Sequence, residues 1–183
     1  LQLKKIIYVG QLKKEKGTID LIEAFNMFDF RMVNLELHLV GQIMDKSIIT
    51  LIKKNPNIIY HGIKPNSICL KLISESDLFV YPSFYESEGY PGAILEAMSL
   101  GKPVISSDWR FLSELVKDDY NGKLFDINSP KGIKNKIEFY LDNNDELIKH
   151  ARNAYLFSKN FDSNHWNKHI YNRILSDFLN TSL

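Results

Sequence analysis

The stretch Leu78-Phe-Val-Tyr-Pro-Ser-Phe-Tyr-Glu-Ser-Glu-Gly-Tyr-Pro-Gly-Ala-Ile-Leu-Glu-Ala-Met-Ser-Leu-Gly-Lys-Pro-Val-Ile-Ser-Ser-Asp108 reads as a strand, a loop, a helix and a second strand in succession. Leu78–Tyr81 is a short apolar run of the kind buried on both faces of a sheet, and Pro82 punctuates its end. Pro91 and Gly92 are costly in a helix interior, so the helix predicted over Gly92–Leu100 begins at that Pro-Gly step. A strand over Pro103–Ser106 follows. Two carboxylates bracket the helix start: Glu88 in the loop and Glu96 a turn or so inside, with seven residues between them. A helix N-terminus with free N–H groups and two glycines beside it lets an anionic ligand approach the backbone closely.

The same alternation extends through most of the chain. Further strands are predicted over Lys5–Val9, Glu36–Val40, Asn57–His61 and Gly122–Phe125, and further helices over Ile19–Phe28, Ile48–Lys54, Ser67–Ser74 and Leu112–Val116. Strand and helix in alternation imply βαβ units, hence an α/β three-layer sandwich around a six-stranded parallel sheet. Gly10, Gly41, Gly62 and Pro82 punctuate strand ends, so tight loops gather at the carboxyl edge, where open α/β sheets bind ligands.

After Phe125 only helical patterns remain, over Pro130–Leu141, Asp145–Lys159 and Asp162–Leu179. In the last, Trp166, Ile170, Ile174 and Phe178 recur every four residues with Lys168 and Arg173 off the stripe, a pattern of core packing. No repeat, low-complexity segment or linker divides the 183 residues, which read as one domain.

Composition narrows the function. With 44% hydrophobic and 25% charged residues the chain suits a substantial core, and 23 basic against 22 acidic residues weigh against nucleic acid as the main partner. There is no run of ~18 apolar residues to span a bilayer, and the start Leu-Gln-Leu-Lys-Lys lacks the apolar segment of a signal peptide, so a soluble, cytoplasmic domain is expected. The first residue, Leu1, is read as the start of a fragment. Cys69 stands alone and forms no internal disulfide. None of the five histidines has metal-ligand spacing with Cys or acids, so no metal cofactor is expected.

The first loop, Val9-Gly-Gln-Leu-Lys-Lys-Glu-Lys-Gly17, places a Lys-Gly pair before a helix, consistent with a phosphate-cradling loop, although lysine-rich turns are also common on surfaces. Glu88 before a helix also offsets the macrodipole for ~0.3–1 kcal/mol, and Glu96 and Glu114 are equally explained as helix surface charges.

The ordered run Glu88-Gly-Tyr-Pro, Leu95-Glu-Ala-Met and Gly101-Lys-Pro-Val-Ile105 closely resembles the signature of the retaining glycosyltransferases of family 4. The resemblance covers Ile6 to about Leu141. It implies the carboxyl-terminal, donor-binding half of a two-domain, Rossmann-like GT-B enzyme of the capsule or exopolysaccharide type. The terminal helix resembles the one that crosses back to the amino-terminal domain in complete family members.

Carried over by resemblance, Glu88 and Lys16 are the catalytic candidates. Glu88 faces the donor sugar, and Lys16 neutralises the diphosphate leaving group. Backbone N–H groups of Gly89, Tyr90, Gly92 and Ala93 hold sugar and phosphate oxygens, Pro91 fixes the turn, and Glu96 accepts from the ribose hydroxyls. Gly10 ends the first strand, while His61, Gly62 and Ile63 meet the nucleotide base through the backbone. Gln11 stands where the family has a second cation, an arginine, leaving only Lys13 or Lys14 to substitute. The distance from Pro82 favours Glu86 as the first acid, whereas the distance to Glu96 favours Glu88. Glu88 is chosen, with Glu86 the fallback.

The implied reaction is transfer of a hexose, with retention, from a UDP- or GDP-sugar to a growing polysaccharide or glycolipid. The isolated domain is expected to be inactive, with the acceptor reached through a missing amino-terminal domain. The full-length enzyme is expected in the cytoplasm, with contact to the inner membrane face as an option. A non-catalytic nucleotide-sugar-binding scaffold is the alternative, favoured by Gln11. An epimerase half of the same fold is disfavoured, because paired acids around such a turn are not its hallmark.

Overall fold

The computed structural model describes residues 3–161; the predicted helix Asp162–Leu179 lies outside them. The strands are β1 (Lys5–Val9), β2 (Glu36–Val40), β3 (Ile58–Tyr60), β4 (Leu78–Tyr81), β5 (Val104–Ser107) and β6 (Gly122–Phe125). The helices are α1 (Thr18–Asn26), α2 (Ser47–Lys53), α3 (Asn66–Ser74), α4 (Gly92–Ser99), α5 (Leu112–Leu115), α6 (Pro130–Asp142) and α7 (Asn144–Ser158). A 3-10 turn, Lys14–Lys16, precedes α1 and was not expected from the sequence.

All six strands are parallel, in the order β3-β2-β1-β4-β5-β6. The predicted α/β three-layer sandwich is therefore the fold. β5 begins one residue later than predicted: Pro103 offers only its carbonyl, to the Phe79 N–H at 3.1 Å, and has no N–H to pair. β3 is trimmed at both ends, although the His61 N–H still donates to the Leu39 carbonyl at 2.9 Å.

The strands read as apolar runs because both faces are covered. Ile6, Ile7, Leu37, Leu39, Phe79, Val80, Val104 and Ile105 are all fully buried. Helix α1 packs against α2 and α6, while α4 packs against α3 and α7, giving the two outer layers. The chain runs outward from β1 to β3, returns to place β4 beside β1, and then runs outward the other way. Crossovers of one hand turn that reversal into a change of face between β1 and β4, the position at which open α/β sheets bind ligands.

Candidate active site

The loop after β1 is shaped by backbone bonds to its neighbour. The Gly10 N–H donates to the Val40 carbonyl at 3.0 Å and the Leu12 N–H to the Gln42 carbonyl at 2.8 Å, with the Leu12 side chain buried. The chain then tightens into the Lys14–Lys16 turn, closed by Gly17 at φ 66°, whose N–H donates to the Lys14 carbonyl at 2.8 Å. The Phe84 N–H donates to the Glu15 carbonyl at 2.9 Å, so the loops after β1 and β4 are joined.

That junction brings two predicted residues together. The Lys16 ammonium donates to Glu88 Oε2 at 2.6 Å, and both side chains are largely buried, at 14% and 8% exposure. The Ser83 hydroxyl donates to the same carboxylate oxygen, and the Tyr81 hydroxyl donates to Oε1 at 3.1 Å. Burial raises the Tyr81 phenol well above its ordinary range and the Glu88 charge adds to it, so Tyr81 stays a neutral donor. Tyr8, stacked on Tyr81 at 6.2 Å between centroids, is likewise raised, chiefly by burial, and its hydroxyl donates to the Gln11 carbonyl at 2.8 Å. Two stacked tyrosines from adjacent strands thus each tie down one loop. Glu86, the fallback, is exposed.

Tyr85 completes the roof of this pair. Its ring lies under the ammonium groups of Lys13, at 4.0 Å, and Lys16, at 4.9 Å, and its carbonyl accepts from the Trp109 indole N–H at 3.1 Å.

Helix α4 begins beside these groups without a side-chain cap, because Pro91 occupies the cap position. The amides of Gly89, Tyr90, Gly92 and Ala93 find no acceptor among the described residues, and the space beside the Cα atoms of Gly89 and Gly92 is open. A cluster of free donors at the positive end of a helix suits an anion. Tyr90 is half-exposed, stacks on Phe111 and donates its hydroxyl to Glu114. Glu96 is not brought to the Lys16–Glu88 pair: it accepts from the Asn66 amide at 3.3 Å.

The remaining candidates line the same edge. Gln11 is exposed; His61 is half-buried, its Nε2 hydrogen-bonded with His38 Nδ1 at 2.9 Å; Gly62 accepts through its carbonyl from the Gly41 N–H at 2.9 Å; and Ile63 is exposed. Burial is the main cause holding the His61 imidazole below its ordinary pKa, with His38 and Lys64 acting in the same direction. Among the described residues no three His, Cys, Asp or Glu side chains are grouped to hold a metal, and no helix is long and apolar enough to cross a membrane. Sequence reasoning missed Tyr81, Ser83 and Tyr85 as partners of the charged pair. Their only signal was polar side chains at the end of, or just after, an otherwise apolar strand.

The family model described as glycosyl transferases group 1 matches residues 2–160. The chain belongs to this family. An uncharacterized glycosyltransferase of Methanocaldococcus jannaschii is 30% identical to this group 1 chain, over 96% of it and 46% of the relative. The capsular polysaccharide biosynthesis glycosyltransferase CapM of Staphylococcus aureus is 28% identical over 78% of the chain and 37% of its own length. The chain thus spans less than half of these relatives. Among solved structures, Anabaena HepE in complex with UDP superposes with a TM-score of 0.83 over 96% of the chain and 49% of HepE, at 23% identity, a likeness of fold.

Proposed function

We propose that this group 1 domain binds the donor in a retaining glycosyl transfer, holding a UDP- or GDP-hexose at the carboxyl edge between β1 and β4. The observation that carries this reading is the largely buried Lys16–Glu88 pair beside four amides at the start of α4 that find no acceptor among the described residues. HepE, whose fold this chain shares, was crystallised with UDP, and CapM is named for capsular polysaccharide synthesis.

In this reading the Lys16–Glu88 pair marks where the diphosphate enters. An incoming diphosphate competes with Glu88 for the Lys16 ammonium, and the α4 amides take the remaining phosphate and sugar oxygens. Glu88, released by Lys16, keeps the Tyr81 and Ser83 hydroxyls and turns its carboxylate toward the sugar. As the anomeric bond to the diphosphate breaks, the growing negative charge falls on donors already in place, which is where the rate acceleration arises. No side chain acts as a covalent nucleophile and no resident metal is required. The acceptor, a growing polysaccharide or glycolipid, enters from a further domain outside this chain, on the cytoplasmic side. A non-catalytic nucleotide-sugar scaffold is the second reading, favoured by the neutral, exposed Gln11 in the first loop.

A thermal-shift panel of UDP, GDP, ADP and their sugars on the 183-residue chain tests donor binding. Ligand at about 100 times its Kd adds ~2.7 kcal/mol, a rise of a few degrees for a domain of this size. No shift with any nucleotide overturns the reading. Sugar transfer by the full-length protein, absent in Lys16→Ala, separates enzyme from scaffold.

A further inference from the structure

We propose that Tyr90 and Phe111 form an aromatic ledge on which a sugar ring of the acceptor glycan stacks beside the donor site. The two rings lie 6.0 Å apart between centroids with 26° between their planes, and they remain 50% and 45% exposed. Among the described residues this is the only stacked or tilted aromatic pair in which both side chains are exposed. Exposed apolar side chains gathered in one place, rather than scattered, mark a contact surface.

Each ring comes from a different loop of the carboxyl edge, and each is held in place. Tyr90 follows β4 and donates its hydroxyl to Glu114 in α5. Phe111 follows β5, just after Arg110, whose φ of 49° turns the chain there. A non-glycine residue stays in that left-handed region only where its surroundings hold it. The Trp109 indole N–H donates to the Tyr85 carbonyl at 3.1 Å, which ties this loop to the one that carries Glu88. A surface ordered in advance loses little further freedom when a ligand arrives.

Position and rim say what the ledge takes. Tyr90 stands two residues after Glu88 and two before Gly92, between the carboxylate and the start of α4. Two residues span at most about 7 Å of chain, so a ring stacked on Tyr90 lies beside the donor site. A pyranose offers a face of C–H bonds to an aromatic ring and an edge of hydroxyls that both donate and accept. Asp108, Arg110 and Glu114, all exposed and close to Phe111 in the chain, bring carboxylate acceptors and a guanidinium donor to meet that edge. A purely apolar protein surface fits badly, because it strips water from these charges without pairing them. The assignment to the acceptor rests on the donor reading above, in which Glu88 and the α4 amides hold the transferred hexose and leave the ledge to the second sugar.

Saturation-transfer NMR of the 183-residue chain with the methyl α-glycosides of glucose, galactose and mannose tests it, in the presence of UDP or GDP, whichever stabilises the chain. At least one glycoside receives saturation, strongest at its ring C–H protons. Phe111→Ala reduces that transfer several-fold, and Phe111→Trp, which puts a ring back, restores it. Circular dichroism and the nucleotide-induced melting shift stay as in wild type for both variants. No transfer to any of the three glycosides, from a chain that a nucleotide does stabilise, overturns the proposal and leaves the donor reading standing. Transfer indifferent to Phe111→Ala places the sugar elsewhere and overturns it too. Weaker binding of UDP-glucose in Phe111→Ala, with UDP unchanged, gives the ledge to the donor's own sugar and overturns the acceptor assignment. A chain that no nucleotide stabilises loses the donor reading first, and this proposal with it.

Discussion

Gly17 lies against Pro82 so closely that a Cβ on the glycine would stand 2.0 Å from the proline carbonyl oxygen. This contact locks the loop after β1 to the loop after β4, one residue from Lys16 and six from Glu88. Gly17→Ala therefore forces the loops apart as well as straining a left-handed backbone, which alone costs about 1–3 kcal/mol. The expected result is a lower urea midpoint together with loss of nucleotide binding. Unchanged stability with full binding contradicts the contact.

Glu88 rather than Glu86 is expected to carry the first carboxylate role. In the full-length protein Glu88→Gln is expected to lower turnover by at least ~100-fold, the scale of removing one well-placed electrostatic group, while Glu86→Gln stays near wild type. The reason is geometric: Glu88 is held by Lys16, Ser83 and Tyr81, whereas Glu86 is exposed. Steady-state kinetics giving the reverse order shows that the register was misread.

Gln11→Arg is expected to tighten UDP or GDP several-fold and leave uridine or guanosine unchanged. An arginine at the mouth of the first loop offers two charge-assisted hydrogen bonds to a diphosphate and none to a nucleoside. Lys13, poised over the Tyr85 ring, is the competitor for that space. Titration calorimetry decides: equal effects on nucleoside and diphosphate place residue 11 away from the phosphates.

Acid sensitivity is expected to come from His150 in α7. It is fully buried, with Nδ1 hydrogen-bonded to the Tyr140 hydroxyl at 2.8 Å. Burial is the main cause lowering its pKa below the ordinary 6.5; Lys123 and Lys149 act with it and Glu146 opposes. The unfolded imidazole takes a proton more readily than the folded one, so His150 leaves stability unaffected above about pH 6.5 and reduces it as pH falls below that value. His61 is lowered too and acts in the same direction. Urea midpoints measured on either side of about pH 6.5 should fall on the acid side. The fall should be smaller in His150→Asn, and an equal fall in both proteins assigns the sensitivity elsewhere.

Much of this was legible along the chain because it depends on local rules. Leu78–Tyr81, Lys5–Val9, Glu36–Val40 and Gly122–Phe125 are strands with the boundaries their apolar runs predict. Helix α4 starts at Gly92, where the Pro-Gly step puts it. The ordered residues around Glu88 and Glu96 pointed to a glycosyltransferase, and the match over residues 2–160 shows the group 1 family. The Lys14–Lys16 turn was not legible, since lysine and glutamate have no preference for a single 3-10 turn and contacts with the next loop hold it there.

By itself, then, the sequence determined the alternation of strand and helix, the parallel sheet and the candidate charged residues, because periodicity, proline and glycine act over a few neighbouring residues. Only the tertiary structure decided which residues meet. Lys16 and Glu88 are far apart in the chain and touch because β1 and β4 are neighbours in a sheet whose order reverses there. Tyr81 and Ser83 became the holders of the carboxylate for the same reason, and Glu96 was turned toward Asn66 by the packing of α4 on α3. Spacing along a chain restricts local conformation, but a buried ion pair exists only where burial, geometry and two separate loops coincide.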